Sequence, residues 1–198
     1  SSTETPNAPT PIDDLCKQFI LEPLDRDLFL ANPGPGEGRL FGGLVAAQSA
    51  LAAMATVDPD ESEGVAAGDL LHSIHAYFLR PGHYNLPIRL VVDRIRDGRT
   101  FTTRRVVAHQ GGEAIFNMAA SFARPEESDS HQRPAPETPG PEGLEEWTVL
   151  RNQALGVPLA DAESSPIEVR VLGPAEFHDE SPRDPLRSVW IRTRGKLP

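Results

Sequence analysis

The sequence has only one cysteine, Cys16, among its 198 residues. A single cysteine forms no internal disulfide, which is typical of a protein kept in a reducing compartment. No apolar run approaches the ~20 residues that a membrane-spanning helix needs, and no charged start followed by an apolar stretch marks a signal peptide. We therefore expect no membrane insertion and a location in the cytoplasm or an organelle matrix.

Positive charge is also scarce, since the formal net charge is -10 and the pI is near 5.0. Nucleic-acid-binding proteins normally carry a basic excess, so we expect no nucleic-acid partner. The acidic balance repels anionic small molecules at long range. An anionic ligand would therefore need a local group of arginines.

Common catalytic and metal-binding patterns are missing as well. The sequence has no metal-ligand spacing, Walker loop, dinucleotide fingerprint or nucleophile-elbow motif. His72 and His75 are three residues apart on a predicted strand, where they would face opposite sides and make a poor metal pair. We expect no metal and no cofactor.

The most informative segment present is the alanine- and leucine-rich run 42–57, which favours a helix. This helix has no solvated face, so we expect it to be buried on most sides. Gly42 and Gly43 open it, where backbone N–H groups lack intrahelical partners and would suit a developing negative charge on a carbonyl oxygen. The alternative is that small residues are needed where the helix enters a sheet.

Strand signals follow this helix at residues 70–80, 86–95, 101–110 and 114–123. An Asp-Gly turn at 96–99 joins the second and third strands. The fourth alternates, with Phe116, Met118 and Phe122 on one face and Asn117 on the other. We expect an antiparallel meander curled around the helix, in an α+β architecture.

Shorter elements are predicted elsewhere: helices at 12–19 and 144–155, and strands at 28–30, 167–177 and 187–194. The Pro-, Glu- and Ser-rich run 125–143 is typical of a solvated linker. Two strands alone bury no stable core. The last two strands therefore either join the first sheet or need partners beyond Pro198.

Several blocks in order resemble the acyl-CoA thioesterase II family, whose chains hold two hotdog units. The resemblance rests on LFGG at 40–43 with Gln48, LHSIHAYFLRPG at 71–82, RDGRTF at 96–101, RRV at 104–106, ASF at 120–122, EFH at 176–178 and VWIR at 189–192. Each block is short, but together they are specific.

The resemblance implies a hotdog fold, in which an antiparallel sheet wraps a central helix. It predicts a first hotdog unit at 1–124, a Pro-rich linker with a short helix at 125–166, and the opening strands of an incomplete second unit at 167–198. It also implies acyl-CoA as substrate and a homo-oligomer of double-hotdog chains. The family's water-activating aspartate, threonine or serine, and glutamine lie in the second unit, so they are expected beyond Pro198 and no catalytic residue is assigned here.

The candidate substrate-binding residues are Gly42, Gly43, His72, Arg96 and Arg99. His72 is predicted on the strand face of Ile74 and Phe78, where it would face the acyl channel or carry a proton. The alternative for His72 is a hydrogen-bonded core histidine, because no carboxylate or nucleophile is spaced to partner it.

Arginines crowd the hairpin around the Asp-Gly turn: Arg94, Arg96, Arg99, Arg104 and Arg105. Guanidinium groups suit the phosphates of CoA. The alternative is a solvated strand edge that charge protects from aggregation.

Three functions follow from these observations. Hydrolysis of fatty acyl-CoA to free fatty acid and CoA is the first, with this polypeptide inactive by itself. A non-catalytic acyl-CoA-binding hotdog scaffold is the second. An enoyl-CoA hydratase-type hotdog enzyme is the third, although its acid/base histidine and aspartate signature is missing.

Overall fold

The computed structural model describes residues 10–57, 70–156, 165–173, 181–182 and 185–197. The chain divides into two compact units, one formed by Lys17–His131 and the other by Ser1–Cys16 with Gln132–Pro198. A six-stranded antiparallel sheet lies in the first unit and a two-stranded sheet in the second.

The elements, in chain order, are α1 (Pro11–Gln18), β1 (Leu21–Asp25), β2 (Leu28–Ala31), α2 (Gly42–Met54), β3 (Leu70–Phe78), β4 (Ile88–Asp97), β5 (Phe101–Gln110), β6 (Glu113–Ala123), α3 (Trp147–Leu155), β7 (Ile167–Leu172) and β8 (Ser188–Thr193). The predicted elements are present, with boundaries that differ by a few residues. Strand β1 was not predicted.

Helix α2 is the centre of the first unit. None of its residues from Leu44 to Ala53 is exposed, and the helix packs against β4, β5 and β6. The prediction of a buried helix is confirmed. It ends at Met54, three residues before the predicted end, because a turn closed by a hydrogen bond from Thr56 Oγ1 to the Ala53 carbonyl follows it.

The strand order in the large sheet is β1-β2-β4-β5-β6-β3. Strands β4, β5 and β6 form the predicted meander, but the expectation that β3 continues it is wrong, since β3 pairs with β6. The segment after β3 does not fold back as a hairpin, and its backbone bonds to two other parts of the chain. Leu79 N–H donates to the Ile115 carbonyl, and the Gly82 carbonyl accepts from Leu40 N–H.

The inner face of the sheet forms the core against α2. Phe116, Met118 and Phe122 are each at most 1% exposed and belong to one buried cluster with Val45 and Ala53. The predicted alternation of β6 is therefore confirmed.

The two edge strands of this sheet differ. Strand β1 has five residues and carries Pro23 near its middle, and proline lacks an N–H to donate to a further strand. Strand β3 has nine residues, no proline and several exposed apolar side chains, among them Ile74 and Phe78. The open side of β3 is thus the only long unblocked edge of the sheet, within the part of the chain that the structure describes.

In the second unit, β7 pairs with β8 around a buried carboxylate. Glu168 is 4% exposed and accepts hydrogen bonds from Arg192 and Arg170. These bonds, Arg192 first, hold the pKa of Glu168 below its ordinary value although burial opposes them. Strand β7 ends at Leu172; the rest of the predicted strand, from residue 174, lies outside the described residues.

Candidate functional site

A pocket of about 330 Å³ opens at the N-terminal end of α2. One wall comes from the helix, through Gly42 and Val45, and the opposite wall from Ile115 and Phe116 of β6. The remaining lining residues are Arg39, Leu40 and the segment from Phe78 to Gly82. The described lining is therefore mainly apolar, with arginine as its only ionisable residue.

The start of α2 leaves backbone donors beside this pocket. Phe41 is the N-cap residue with extended backbone, and its side chain makes no capping hydrogen bond. The first N–H groups of a helix have no intrahelical acceptor, and the helix dipole adds partial positive charge there. A carbonyl oxygen that gains negative charge would be stabilised at this position.

Two arginines accompany the apolar lining. Arg80 donates to the Ala114 carbonyl and pairs with Glu113 at 2.8 Å, so its position is fixed. Arg39 is exposed, and its backbone bridges to His83. Neither arginine is among the residues predicted from the sequence; the available signal was that Arg39 directly precedes the LFGG block and that Arg80 lies within the block at 71–82.

The packing explanation for the two glycines also has direct support. A Cβ at Gly42 would lie 2.7 Å from Cε1 of Phe78, and a Cβ at Gly43 would overlap the ring of Phe41. A side chain at either position would therefore require one of these phenylalanine rings to move. Of the five candidate residues predicted from the sequence, only Gly42 lines the pocket. Gly43 is the next residue of the helix.

His72 lies elsewhere, and its predicted face is wrong. A β-bulge between Leu71 and Ser73 interrupts the pairing of β3 with β6, so simple alternation fails there. The His72 Nε2 atom lies 2.9 Å from Ser121 Oγ, on the sheet face that points away from α2, and its ring contacts Phe101. The side chain is hydrogen-bonded but exposed, so it is not a core histidine either.

The arginines of the hairpin fall into different environments. Arg96 and Arg99 are exposed near the β4–β5 turn, whereas Arg94 pairs with Asp27 at 3.0 Å. The prediction that Arg104 belongs to a solvated strand edge is wrong, because its side chain is 0% exposed. A solvated edge therefore describes only part of this cluster.

Buried Arg104 is held by several oxygen acceptors. Its guanidinium donates to Thr56 Oγ1 and the Thr56 carbonyl at the end of α2, to the backbone carbonyls of Arg96 and Thr103, and to Asp97. These contacts attach the end of α2 to the β4–β5 hairpin. Alternation along β5 places Arg104 on the inner face of the sheet. The hydrogen bonds to these acceptors offset the desolvation cost of burying its charge.

The structure separates the five candidate residues into two groups. Gly42 lies against Phe78, at the end of β3, and Gly43 follows it in α2, whereas His72 lies at the start of β3. Six residues of strand separate these ends by about 20 Å. Because Arg96 and Thr103 are cross-strand partners, as are Thr103 and Ser121, the turn arginines lie at the His72 end.

A second pocket, of about 480 Å³, lies near β1 and β2 and is lined by Lys17, Ile20, Leu21, Glu22, Leu30, Asn32, Asn85 and Pro87. It has no helix start beside it, and its two charged residues have opposite signs. No helix in the described ranges is long and apolar enough to cross a membrane. Those ranges also contain no group of three or more histidine, cysteine, aspartate or glutamate side chains placed to hold a metal.

Comparison with known proteins places these features in context. Residues 31–123, from the end of β2 to the end of β6, match the family described as "Acyl-CoA thioesterase N-terminal domain". The chain is 35% identical over 191 residues to "Acyl-coenzyme A thioesterase 8" of Mus musculus, covering 89% of this chain and 57% of that protein. It is 32% identical to "Acyl-CoA thioesterase 2" of Haemophilus influenzae, covering 94% and 65%.

A solved structure shows the same fold. The acyl-CoA thioesterase II TesB2 from Mycobacterium marinum superimposes with a TM-score of 0.66 at 33% identity, covering 93% of this chain and 60% of that one. The hotdog architecture expected from the sequence is therefore confirmed. The chain spans only about three fifths of the length of these similar proteins.

Proposed function

Because residues 31–123 match the acyl-CoA thioesterase N-terminal-domain family and the chain is 35% identical to an acyl-CoA thioesterase, we propose that it takes part in the hydrolysis of acyl-CoA to a free fatty acid and CoA. Its own part is to bind the acyl thioester. The observation that carries this proposal is the apolar pocket of about 330 Å³ that opens at the uncapped start of α2.

In this reaction a water oxygen attacks the thioester carbonyl carbon and the carbonyl oxygen gains negative charge. The C–S bond then breaks, the acid leaves, and the CoA thiolate takes up a proton. In this proposal the N–H groups of Gly42 and Gly43, at the uncapped start of α2, stabilise the oxyanion by hydrogen bonding.

The described lining of the pocket provides no general base. It contains no aspartate, glutamate, histidine, serine, threonine or glutamine side chain. Binding alone lowers no chemical barrier, because catalysis requires stronger interactions in the transition state than in the ground state. This fits the proposal that the water-activating aspartate, threonine or serine, and glutamine belong to a second hotdog unit, of which β7 and β8 are the opening strands.

The test uses the purified polypeptide of residues 1–198. We expect it to bind medium- and long-chain acyl-CoA more tightly than free CoA in calorimetry, and to release almost no free thiol from either ester. Equal affinity for acyl-CoA and free CoA would contradict acyl binding. Robust thiol release that disappears in His72→Ala would make His72 a catalyst and overturn the proposed division of labour.

For the anionic part of CoA we propose Arg96 and Arg99, acting through local charge at the β4–β5 turn, with His72 at the same end of the sheet. The double substitution Arg96→Ala/Arg99→Ala is expected to weaken CoA binding and to flatten its dependence on salt, because fewer charges interact with the phosphates. Calorimetric titrations at several salt concentrations measure both quantities.

The matched control is Arg26→Ala/Arg89→Ala, which removes the same charge at other exposed positions of the unit. If both double variants show the affinity and salt dependence of the unaltered chain, CoA binding by Arg96 and Arg99 is contradicted, and the two residues are part of a solvated strand edge. The same conclusion holds if both double variants weaken CoA binding equally, since the change in net charge alone then explains the loss of affinity.

A further inference from the structure

The ring of Phe78 occupies a position that bears on the size of the pocket. It lies against the Cα of Gly42, so that a Cβ there would be 2.7 Å from its Cε1 atom. Its centroid is 5.0 Å from that of Phe116, which is buried and forms part of the opposite wall. Phe78 thus fills the space between the helix start and β6.

Unlike Phe116, Phe78 is held in place mainly from one side. Its side chain is 64% exposed although it is large and apolar. An exposed phenylalanine that lines a pocket costs little to move or truncate, in contrast to one in a packed core. A change at Phe78 therefore alters the pocket without removing a support of the fold.

We propose that Phe78 is a specificity-determining residue that sets the largest acyl group this pocket accepts. The inference rests on the proposed acyl-CoA binding and extends it to the chemical class of the group bound, a short to medium unbranched acyl chain. The pocket volume of about 330 Å³ lies at the small end of the range for ligand sites, roughly 300–1,000 Å³.

The acyl chain, rather than the pantetheine arm of CoA, suits this lining. The pantetheine arm carries two amides, and an amide that enters an apolar site without hydrogen-bond partners loses several kcal/mol, roughly 2–7. Leu40, Val45, Phe78, Ile115 and Phe116 offer no side-chain hydrogen bonds to such amides. The two arginines of the lining can donate to an amide carbonyl, but they provide no acceptor for an amide N–H. An alkyl chain has no such requirement.

The size limit predicts a measurable pattern in binding. Each methylene that enters an apolar pocket raises affinity by about fourfold, until the pocket is full and further methylenes remain in water. A plot of affinity against chain length therefore rises and then levels off. The chain length at which it levels off is the quantity that Phe78 controls.

The experiment measures the dissociation constants of the 1–198 polypeptide for a series of saturated acyl-CoA esters, from butanoyl to hexadecanoyl, with free CoA as the reference. In Phe78→Ala the plateau is expected to move to longer chains, so that the first ester beyond the original plateau binds about fourfold more tightly. Phe78→Leu, which keeps the apolar packing, is expected to move it in the same direction by less.

The matched control is Tyr77→Ala. Tyr77 is the neighbouring residue, is 58% exposed, and lies beside His75 on the face of β3 that does not line the pocket. This variant is expected to keep the original plateau.

A second test uses Gly42→Ala, whose added methyl group would lie 2.7 Å from Cε1 of Phe78 and so adds bulk to the part of the pocket lining that both residues form. Its plateau is expected at shorter chains, and the double variant Gly42→Ala/Phe78→Ala is expected to recover the longer ones, because the clash is then absent. Unchanged plateaus in folded Phe78→Ala and Phe78→Leu would overturn the role of Phe78 and leave acyl binding intact. Free CoA binding as tightly as every ester would instead overturn the proposed function.

Discussion

Replacing Arg104 by alanine is expected to lower the free energy of unfolding of the first unit by about 3–5 kcal/mol. The guanidinium is fully buried and satisfies the carbonyl and hydroxyl oxygens of Thr56, which is itself 2% exposed. Alanine leaves those oxygens buried without donors, and each unsatisfied group costs about 1–3 kcal/mol. Its ion pair with Asp97 contributes less, because that carboxylate is 57% exposed.

Chemical denaturation of the purified chain, followed by far-ultraviolet circular dichroism, measures this loss. Arg105→Ala is the matched control, since the adjacent side chain is 50% exposed, approaches Asp93 only to 3.9 Å and donates one exposed hydrogen bond of 3.3 Å to Asn117. The control is expected to stay within about 0.5 kcal/mol of the unaltered chain. Equal denaturation midpoints for the two variants would show that the contacts of Arg104 contribute nothing to stability.

Phe116→Ala is expected to cost a similar amount, about 3–5 kcal/mol, for a different reason. The side chain is 1% exposed and lies in the cluster that joins β6 to α2. Its removal leaves a cavity lined by side chains that relax only in part. The loss is one of packing and apolar burial rather than of hydrogen bonds.

The same denaturation experiment tests this expectation, with Phe101→Ala as the matched control. Phe101 is also on a strand of the sheet but is 46% exposed on the outer face, beside His72. Its truncation is expected to cost well under half as much. A Phe116→Ala midpoint that matches the control would contradict the assignment of the inner face of β6.

Much of this fold follows from patterns that lie close together in the sequence. The apolar run of α2 and the alternation of β6 each identify an element and its buried side without reference to the rest of the chain. Strand β1 was missed because it is short and contains Pro23, which speaks against a strand. The pairing of β3 with β6 was missed because it joins distant parts of the chain, with Ser73 opposite Ser121, and no local pattern encodes it.

The candidate site was less predictable for the same reason. His72 was assigned to the wrong face because a one-residue bulge reverses the alternation, and a bulge leaves no clear signal in these side chains. The burial of Arg104 depends on Thr56, 48 residues earlier in the chain. Arg39 and Arg80 line the same pocket as Gly42 because the fold brings the end of β3 and the start of α2 together.

The unequal edges of the large sheet have a consequence for amide exchange with deuterated water. In β3 alternate backbone N–H groups point towards β6 and are hydrogen-bonded, and the others point outwards where no described strand pairs with them. Beyond the bulge, exchange along residues 73–78 should therefore alternate between slow and fast. A strand that pairs with this edge will slow exchange of the outward N–H groups and leave exchange of the inward ones unchanged. At the opposite edge of the sheet, Pro23 of β1 has no N–H group and interrupts such pairing.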